Sequence, residues 1–241
     1  MDESAGGSAR ARIRPPVFEI GLKGYRWGSA AVQLAVEADR LAEELGISIV
    51  YNPQTVDIAA VAAATSRILV FAQHMDPVTP GRGVGGVLAE ALRDAGAVGT
   101  LLNHSEKPMP LGSMARAIER ARSCGLFTLV FADSPAEAAA LAHLGPDVVL
   151  AEPPELIATG VSAGNVMAGF VADTVAAVKA VDPDILVMSG AGVNSPDDVD
   201  RMIRLGLDGT GSSSGILKAD DPVAAMRQML EAEARAWAAT H

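Results

Sequence analysis

Residues 126–152 read LFTLVFADSPAEAAALAHLGPDVVLAE. An apolar run from Leu126 and a second from Asp147 flank an Ala-rich segment of helical spacing. Neither run alternates polar with apolar residues, which marks strands buried on both faces, as in a parallel sheet. Parallel neighbours need a crossover, and the Ala-rich segment supplies one. The unit recurs along the chain: VFEIGLK from Val17, ISIVYN from Ile47, ILVFAQ from Ile68, VGTLLN from Val98, ILVMSG from Ile185 and a weak LDGTGSS from Leu207 make eight candidate strands with these two. Between them lie Ala-rich stretches bearing Glu and Arg, such as Ser29 to Leu45, which divides into an apolar and a polar face. Eight such units in 241 residues match a closed (β/α)8 barrel of the α/β class. An open doubly wound sheet would use the same local signals. The Gly- and Pro-rich stretch from Asp76 to Gly86 reads as a long loop after the third strand, so residues 16–241 are expected to form a single domain behind a disordered tail, 1–15.

Composition narrows the function. Aromatic residues are 4% of the chain against 49% hydrophobic, so the core must be aliphatic. A net charge of −10 repels a polyanionic backbone, and no nucleic-acid partner is expected, although a small anion can still find a local cradle. The single Cys124 forms no internal disulfide, and no Cys or His spacing resembles a zinc site, so no metal is expected and a reducing cytoplasm fits. Arg10, Arg12 and Arg14 precede Pro15 and Pro16 where a signal peptide would need an apolar stretch, and no uncharged apolar run is long enough to span a membrane. Cys124 reads as a small buried apolar residue; His74 and His143 are given no chemistry.

In a barrel of this kind reactive groups sit at the carboxyl ends of the strands. The first ends at Lys23, the fourth at Asn103 and His104, the sixth at Glu152. The seventh and eighth end in Gly190-Ala191-Gly192 and Ser212-Ser213-Ser214-Gly215, small residues that let backbone N–H groups approach an anion. Taken singly each has a plain reading: Lys23 as a solvated charge, His104-Ser105-Glu106 as a helix start capped by Ser105, Glu152 as a rim carboxylate. Together they have chemical content. A carboxylate can take a proton from carbon next to a carbonyl while a neutral imidazole and a cation polarise the carbonyl oxygen, which is aldose–ketose isomerisation through an enediolate.

At these residues the sequence resembles the triosephosphate isomerase family, in particular its compact archaeal form. The resemblance rests on AQHMDP (72–77), AGAVGTLLNHSE (95–106), PDVVLAEPPELIATG (146–160), SGAGV (189–193) and SGILKADDP (214–222). It implies a closed TIM barrel, a small phosphorylated sugar as substrate, no cofactor, and a homo-oligomer, dimer or tetramer. It also implies Glu152 as catalytic base, His104 as the electrophile that shuttles protons, Lys23 as electrostatic clamp and Glu106 as a further active-site carboxylate. Backbone amides at Ala158, Gly192, Ser213 and Ser214 would bind phosphate, and 153–160 would form a lid. The roles of base and neutral imidazole are those of a standard worked case of this enzyme, in which a helix N-terminus keeps the ring neutral. The same effect is expected at His104.

The chain departs from the family pattern around these residues. Gly21 stands where the family has Asn, Val84-Gly85 replaces the Thr-Gly of the third loop, Lys107-Pro108 replaces Arg-Arg, Ala158 replaces a lid Gly, and Ser213 replaces a smaller residue. The third-loop change puts the subunit contact in doubt. Gly21 opens room for a fourth carbon, so an erythrulose-type phosphate isomerase is the nearest rival. A Schiff-base aldolase using Lys23 or Lys218, and a barrel that binds a phosphometabolite without turnover, are more distant ones.

Overall fold

The computed structural model describes residues 13–153 and 164–241. Eight strands form in chain order: β1 Val17–Gly21, β2 Ser48–Asn52, β3 Leu69–Ala72, β4 Gly99–Leu102, β5 Phe127–Ala132, β6 Val148–Ala151, β7 Leu186–Ser189 and β8 Gly209–Ser212. Every neighbouring pair is parallel, and β8 returns to β1 to close the barrel, with Val17 opposite Gly209 and Glu19 opposite Gly211. The helices are α1 Ser29–Leu45, α2 Ile58–Ala64, α3 Ala89–Asp94, α4 Leu111–Ser123, α5 Pro135–Ala142, α6 Gly164–Val181, α7 Pro196–Arg204, α8 Ser214–Leu217 and α9 Pro222–Thr240. Of the expected tail, residues 1–12 lie outside the described residues. Ile13 packs on the barrel's inner cluster and the Arg14 carbonyl accepts the Ser48 hydroxyl at 2.7 Å.

Local chemistry sets the helix starts. Ser134 and Ser195 each cap a helix whose first residue is Pro, accepting from Glu137 N–H at 3.2 Å and Asp198 N–H at 3.3 Å. Asp221 does the same for α9 through Val223 and Ala224, both at 3.0 Å. Strand β8 looks weak in sequence because it is built for closeness rather than for side-chain packing. A Cβ on Gly209 would stand 2.0 Å from the Val17 carbonyl oxygen, so only glycine permits this closure.

Period-two alternation divides each strand between two cores. Phe18, Ile20, Ile49 and Tyr51 join the large layer between sheet and helices. Val17, Val50, Phe71, Leu101, Phe127, Leu129, Phe131, Val148, Leu150 and Met188 fill the barrel itself. The same alternation carries Glu19 and Gly21 inward on β1 and Glu152 inward beyond β6.

One carboxyl belongs to the outer layer. Glu233 of α9 is fully buried, accepts the Thr210 hydroxyl through Oε2, and leaves Oε1 without a partner among the described residues. Burial raises its pKa to about 8. The folded chain therefore holds this proton at pH values where the unfolded chain has released it. The resulting cost is absent below the ordinary Glu range, grows as pH rises, and is complete above about pH 8. Glu233→Gln removes it. We expect Tm to rise by roughly 3–6 °C at alkaline pH and hardly at all in mild acid, by calorimetry; equal shifts at both ends would show that Glu233 is not the titrating group.

Candidate active site

The carboxyl ends of the strands gather the predicted residues on one face. Lys23, two residues past β1, has a left-handed backbone with φ +46°, uncommon for a residue with a side chain. Two glutamines hold it there. Gln54 and Gln73, just beyond β2 and β3, donate to the Lys23 carbonyl at 2.5 and 3.0 Å, and Gln73 also reaches the Asn52 carbonyl at 3.0 Å. The Lys23 ammonium meets Glu106 Oε1 at 2.7 Å. Hydrogen bonding to Lys23 holds the Glu106 carboxyl below its ordinary range.

Asn103 closes β4 with φ +61° and acts as a brace: its amide donates to the Phe131 carbonyl at 3.1 Å and its Oδ1 accepts from Met109 N–H at 3.0 Å. His104 then stands edge-on to Phe131, ring centres 4.6 Å apart. The Glu106 N–H donates to its Nδ1 at 3.0 Å. A backbone N–H can only donate, so Nδ1 is unprotonated and the ring proton of the neutral imidazole sits on Nε2. Burial first and Lys23 second push the His104 pKa down, against smaller pulls from Glu106 and Asp133.

This corrects one expectation and removes one alternative reading. No helix begins at His104, and Ser105 caps none: residues 104–107 make a turn closed by Lys107 N–H on the His104 carbonyl at 2.7 Å, and α4 starts only at Leu111. Pro108 and Pro110 disfavour helical backbone in the residues before them, which delays the start. Burial and the Lys23 charge disfavour the imidazolium, in place of the helix start expected at His104.

Glu152 follows β6 directly. Burial raises its pKa to about 7; Lys23 opposes this, while Asp133 and Glu106 add to it. The small residue ending β7 makes room for it, because a Cβ on Gly190 would stand 3.1 Å from Glu152 Oε1. Gly192, with φ +72°, turns the chain over the same face. Ser213 occupies the cap position of α8 and Ser214 opens that helix, whose first N–H groups have no intrahelical acceptor. The Ser212 hydroxyl donates to the Val193 carbonyl at 2.8 Å and ties the two small-residue turns together. Lys23 and Glu106 are each within electrostatic reach of both His104 and Glu152, which gathers the four on the face that carries the turns of Gly192, Ser213 and Ser214. Ala158 and residues 154–160 of the expected lid lie outside the described residues.

Four side chains that the sequence reading does not single out complete the site: Gln54, Gln73, Asp133 and Glu19. The first three share one readable signal, a polar residue within two positions of a strand's carboxyl end. Glu19 has a different one, a charge inside a strand buried on both faces. Among the described residues no cluster of His, Cys, Asp and Glu could hold a metal ion. Third-loop order comes from Asp76, which accepts from Val87 N–H at 2.8 Å and from His74 Nε2 at 3.1 Å. His143 ends α5, and Cys124 is buried at the end of α4.

Among protein-family models, the one described as triosephosphate isomerase matches residues 20–232. A triosephosphate isomerase of Methanothermus fervidus is 36% identical over 217 residues, 89% of this chain and 97% of the relative. One of Pyrobaculum calidifontis is 42% identical over 212 residues, 87% of this chain and 92% of the relative. One of Methanoculleus marisnigri is 40% identical over 217 residues, 89% and 97% of the two chains.

Proposed function

The chain belongs to the triosephosphate isomerase family, and from that premise we propose how its own residues interconvert dihydroxyacetone phosphate and glyceraldehyde 3-phosphate. Glu152 takes a proton from C1 of the ketose. The Nε2–H of His104 and the Lys23 ammonium face the C2 oxygen and stabilise the charge that develops there. His104 moves a proton between the two oxygens of the enediolate, and the Glu152 carboxyl returns its proton to C2. No atom is gained or lost, so the cycle needs no cofactor. Amides at Gly192, Ser213 and Ser214, with Ala158 from the lid, grip the phosphate dianion, and the lid keeps water from the intermediate.

The observation that carries this reading is the Glu106 amide on His104 Nδ1, which leaves a neutral ring with a donor at Nε2 on the face that holds Glu152. An aldolase reading gains nothing from the geometry. Lys23 is ion-paired, and Lys218 is exposed with its ammonium 5.5 Å from the centre of the Tyr25 ring. The four-carbon reading loses its motive too: the space over Gly21 is already filled, since a Cβ there would stand 2.6 Å from Ser213 Oγ and 2.8 Å from Glu19 Oε1.

A coupled assay with dihydroxyacetone phosphate tests the proposal. We expect turnover without added metal, with kcat/KM climbing as pH passes about 7, where Glu152 sheds its proton. Absence of triose turnover by the folded chain would overturn it. The same reading makes the chain a cytoplasmic homo-oligomer. Supporting the second point, apolar side chains stand out on the loops after three adjacent strands: Trp27, Val56 and Val84, the last wholly exposed. Light scattering at the mass of one chain would sink it. No helix among the described residues is long and apolar enough to cross a membrane.

A further inference from the structure

Glu19 lies in the middle of β1, on the strand face that points into the barrel, where most of the interior is filled by an apolar cluster. Its carboxyl fits because two neighbours have no side chain. A Cβ on Gly21 would stand 2.8 Å from Oε1, and a Cβ on Gly211 would stand 2.8 Å from Oε2. Gly211 is also the residue whose carbonyl oxygen lies 3.2 Å from the Cβ position of Gly190, and that same position is 3.1 Å from Glu152 Oε1. The two carboxyls therefore flank one pair of glycines in the barrel, Glu19 from β1 and Glu152 from β6.

Among the described residues, one side chain is hydrogen-bonded to Glu19. The Asn52 side-chain amide donates to Oε1, and its own oxygen, the buried Oδ1, has no hydrogen-bond partner among the described residues. A carboxylate would leave that acceptor orphaned. A carboxylic acid can satisfy it, because acid and amide form a cyclic pair in which the amide N–H₂ donates to one oxygen and the acid O–H donates to the amide oxygen.

We propose that Glu19 is a positioning residue of this site: a carboxylic acid that keeps its proton while Glu152 works, and whose ionisation closes the active range on the alkaline side. Among the described residues, the charged and titratable groups facing it are Lys23 just past β1 and Glu152 just past β6; Asn52 of β2, Gly190 beyond β7, and Gly211 and Ser213 of β8 and its end bring no charge. Behind Glu152 stand Glu106 and Asp133. An ionised Glu19 would set a second negative charge toward the base and draw on the ammonium that the reaction aims at the substrate oxygen. Burial, then the Glu152 charge, raise the Glu19 pKa to about 8 against the opposing pulls of Lys23 and Asn52, in line with this geometry.

The inference rests on the isomerase reading, and the test separates the two. Glu19→Gln retains the pairing with Asn52, amide to amide, and cannot ionise. In the native chain kcat/KM is expected to fall about tenfold per pH unit above the Glu19 ionisation. In the variant that limb moves up by at least about one pH unit while the acid limb from Glu152 stays. Coincident alkaline limbs would overturn the proposal. Should neither protein turn over triose phosphate, the isomerase reading falls and infrared spectroscopy decides for Glu19 alone. In the Glu233→Gln background we expect a protonated-carboxyl band that outlasts that of Glu152, up to about pH 8, and is missing from the Glu19→Gln, Glu233→Gln double variant. Were Glu19→Gln not to fold, that titration in the single variant would still decide; a band lost together with that of Glu152 refutes the idea.

Discussion

Glu152→Gln is expected to lower kcat by about 10²–10⁴-fold, the range lost when a positioned general base is removed. The amide keeps the shape of the carboxyl but cannot accept a proton from carbon. The groups proposed to grip phosphate are untouched, so KM should change far less than kcat, the signature of an interaction made in the transition state. Stability should move the other way. Burial makes the Glu152 charge costly in the folded chain, a cost absent below the ordinary Glu range and complete above about pH 7, so the variant should melt at the same temperature or higher in that upper range. A loss of less than tenfold in a coupled assay of a well-folded variant would remove Glu152 from the role of base.

Lys23→Met should cost about 10²–10³-fold in kcat/KM, as for a charge-stabilising group aimed at a developing oxyanion. The pH profile carries more information than the rate. Among the described residues, Lys23 is the one cation that lowers the Glu152 pKa, against burial and two neighbouring carboxylates. Without it the acid limb should move to higher pH. Lys23 also helps keep His104 unprotonated, so the ring should become easier to protonate in the variant. Glu106 loses its 2.7 Å partner and drifts back toward an ordinary carboxylate range. An unmoved acid limb with a small rate loss would make Lys23 a rim charge whose pairing with Glu106 has no catalytic consequence. The pair alone is weak support for stability, because Glu106 is 64% exposed and a solvated ion pair contributes little.

Much of the barrel can be read before any coordinates. The eight apolar runs all become strands, with ends displaced by only a residue or two, because each is buried on both faces and its hydrophobicity is not diluted by alternation. Helix α1 spans Ser29–Leu45 as its two-faced pattern implies. Closure is different. The segment that closes the ring, LDGTGSS, is the poorest strand by composition, and its glycines are there because β1 comes too close for a side chain. Local propensity registers such glycines as weakness.

The site divides in the same way. Lys23, His104 and Glu152 are legible because reactive groups at strand ends, three strands apart in places, have no reason to coincide unless topology collects them. Residue type and order along the chain carry that much, since strand order fixes which ends are neighbours. What the tertiary structure alone decided is the state of each group. The proton of His104 is assigned by an amide two residues away in a turn that two prolines shape, not by the helix that local sequence suggested. Gly21, which by itself reads as empty space, is filled from the layer below by Glu19 and from β8's end by Ser213. Charge state and free volume depend on burial and on approaches between residues far apart on the chain, such as Glu19 and Ser213, which meet over Gly21 and which chain order alone does not bring together. Sequence order names the reagents; the barrel's interior dielectric and packing set which of them hold protons.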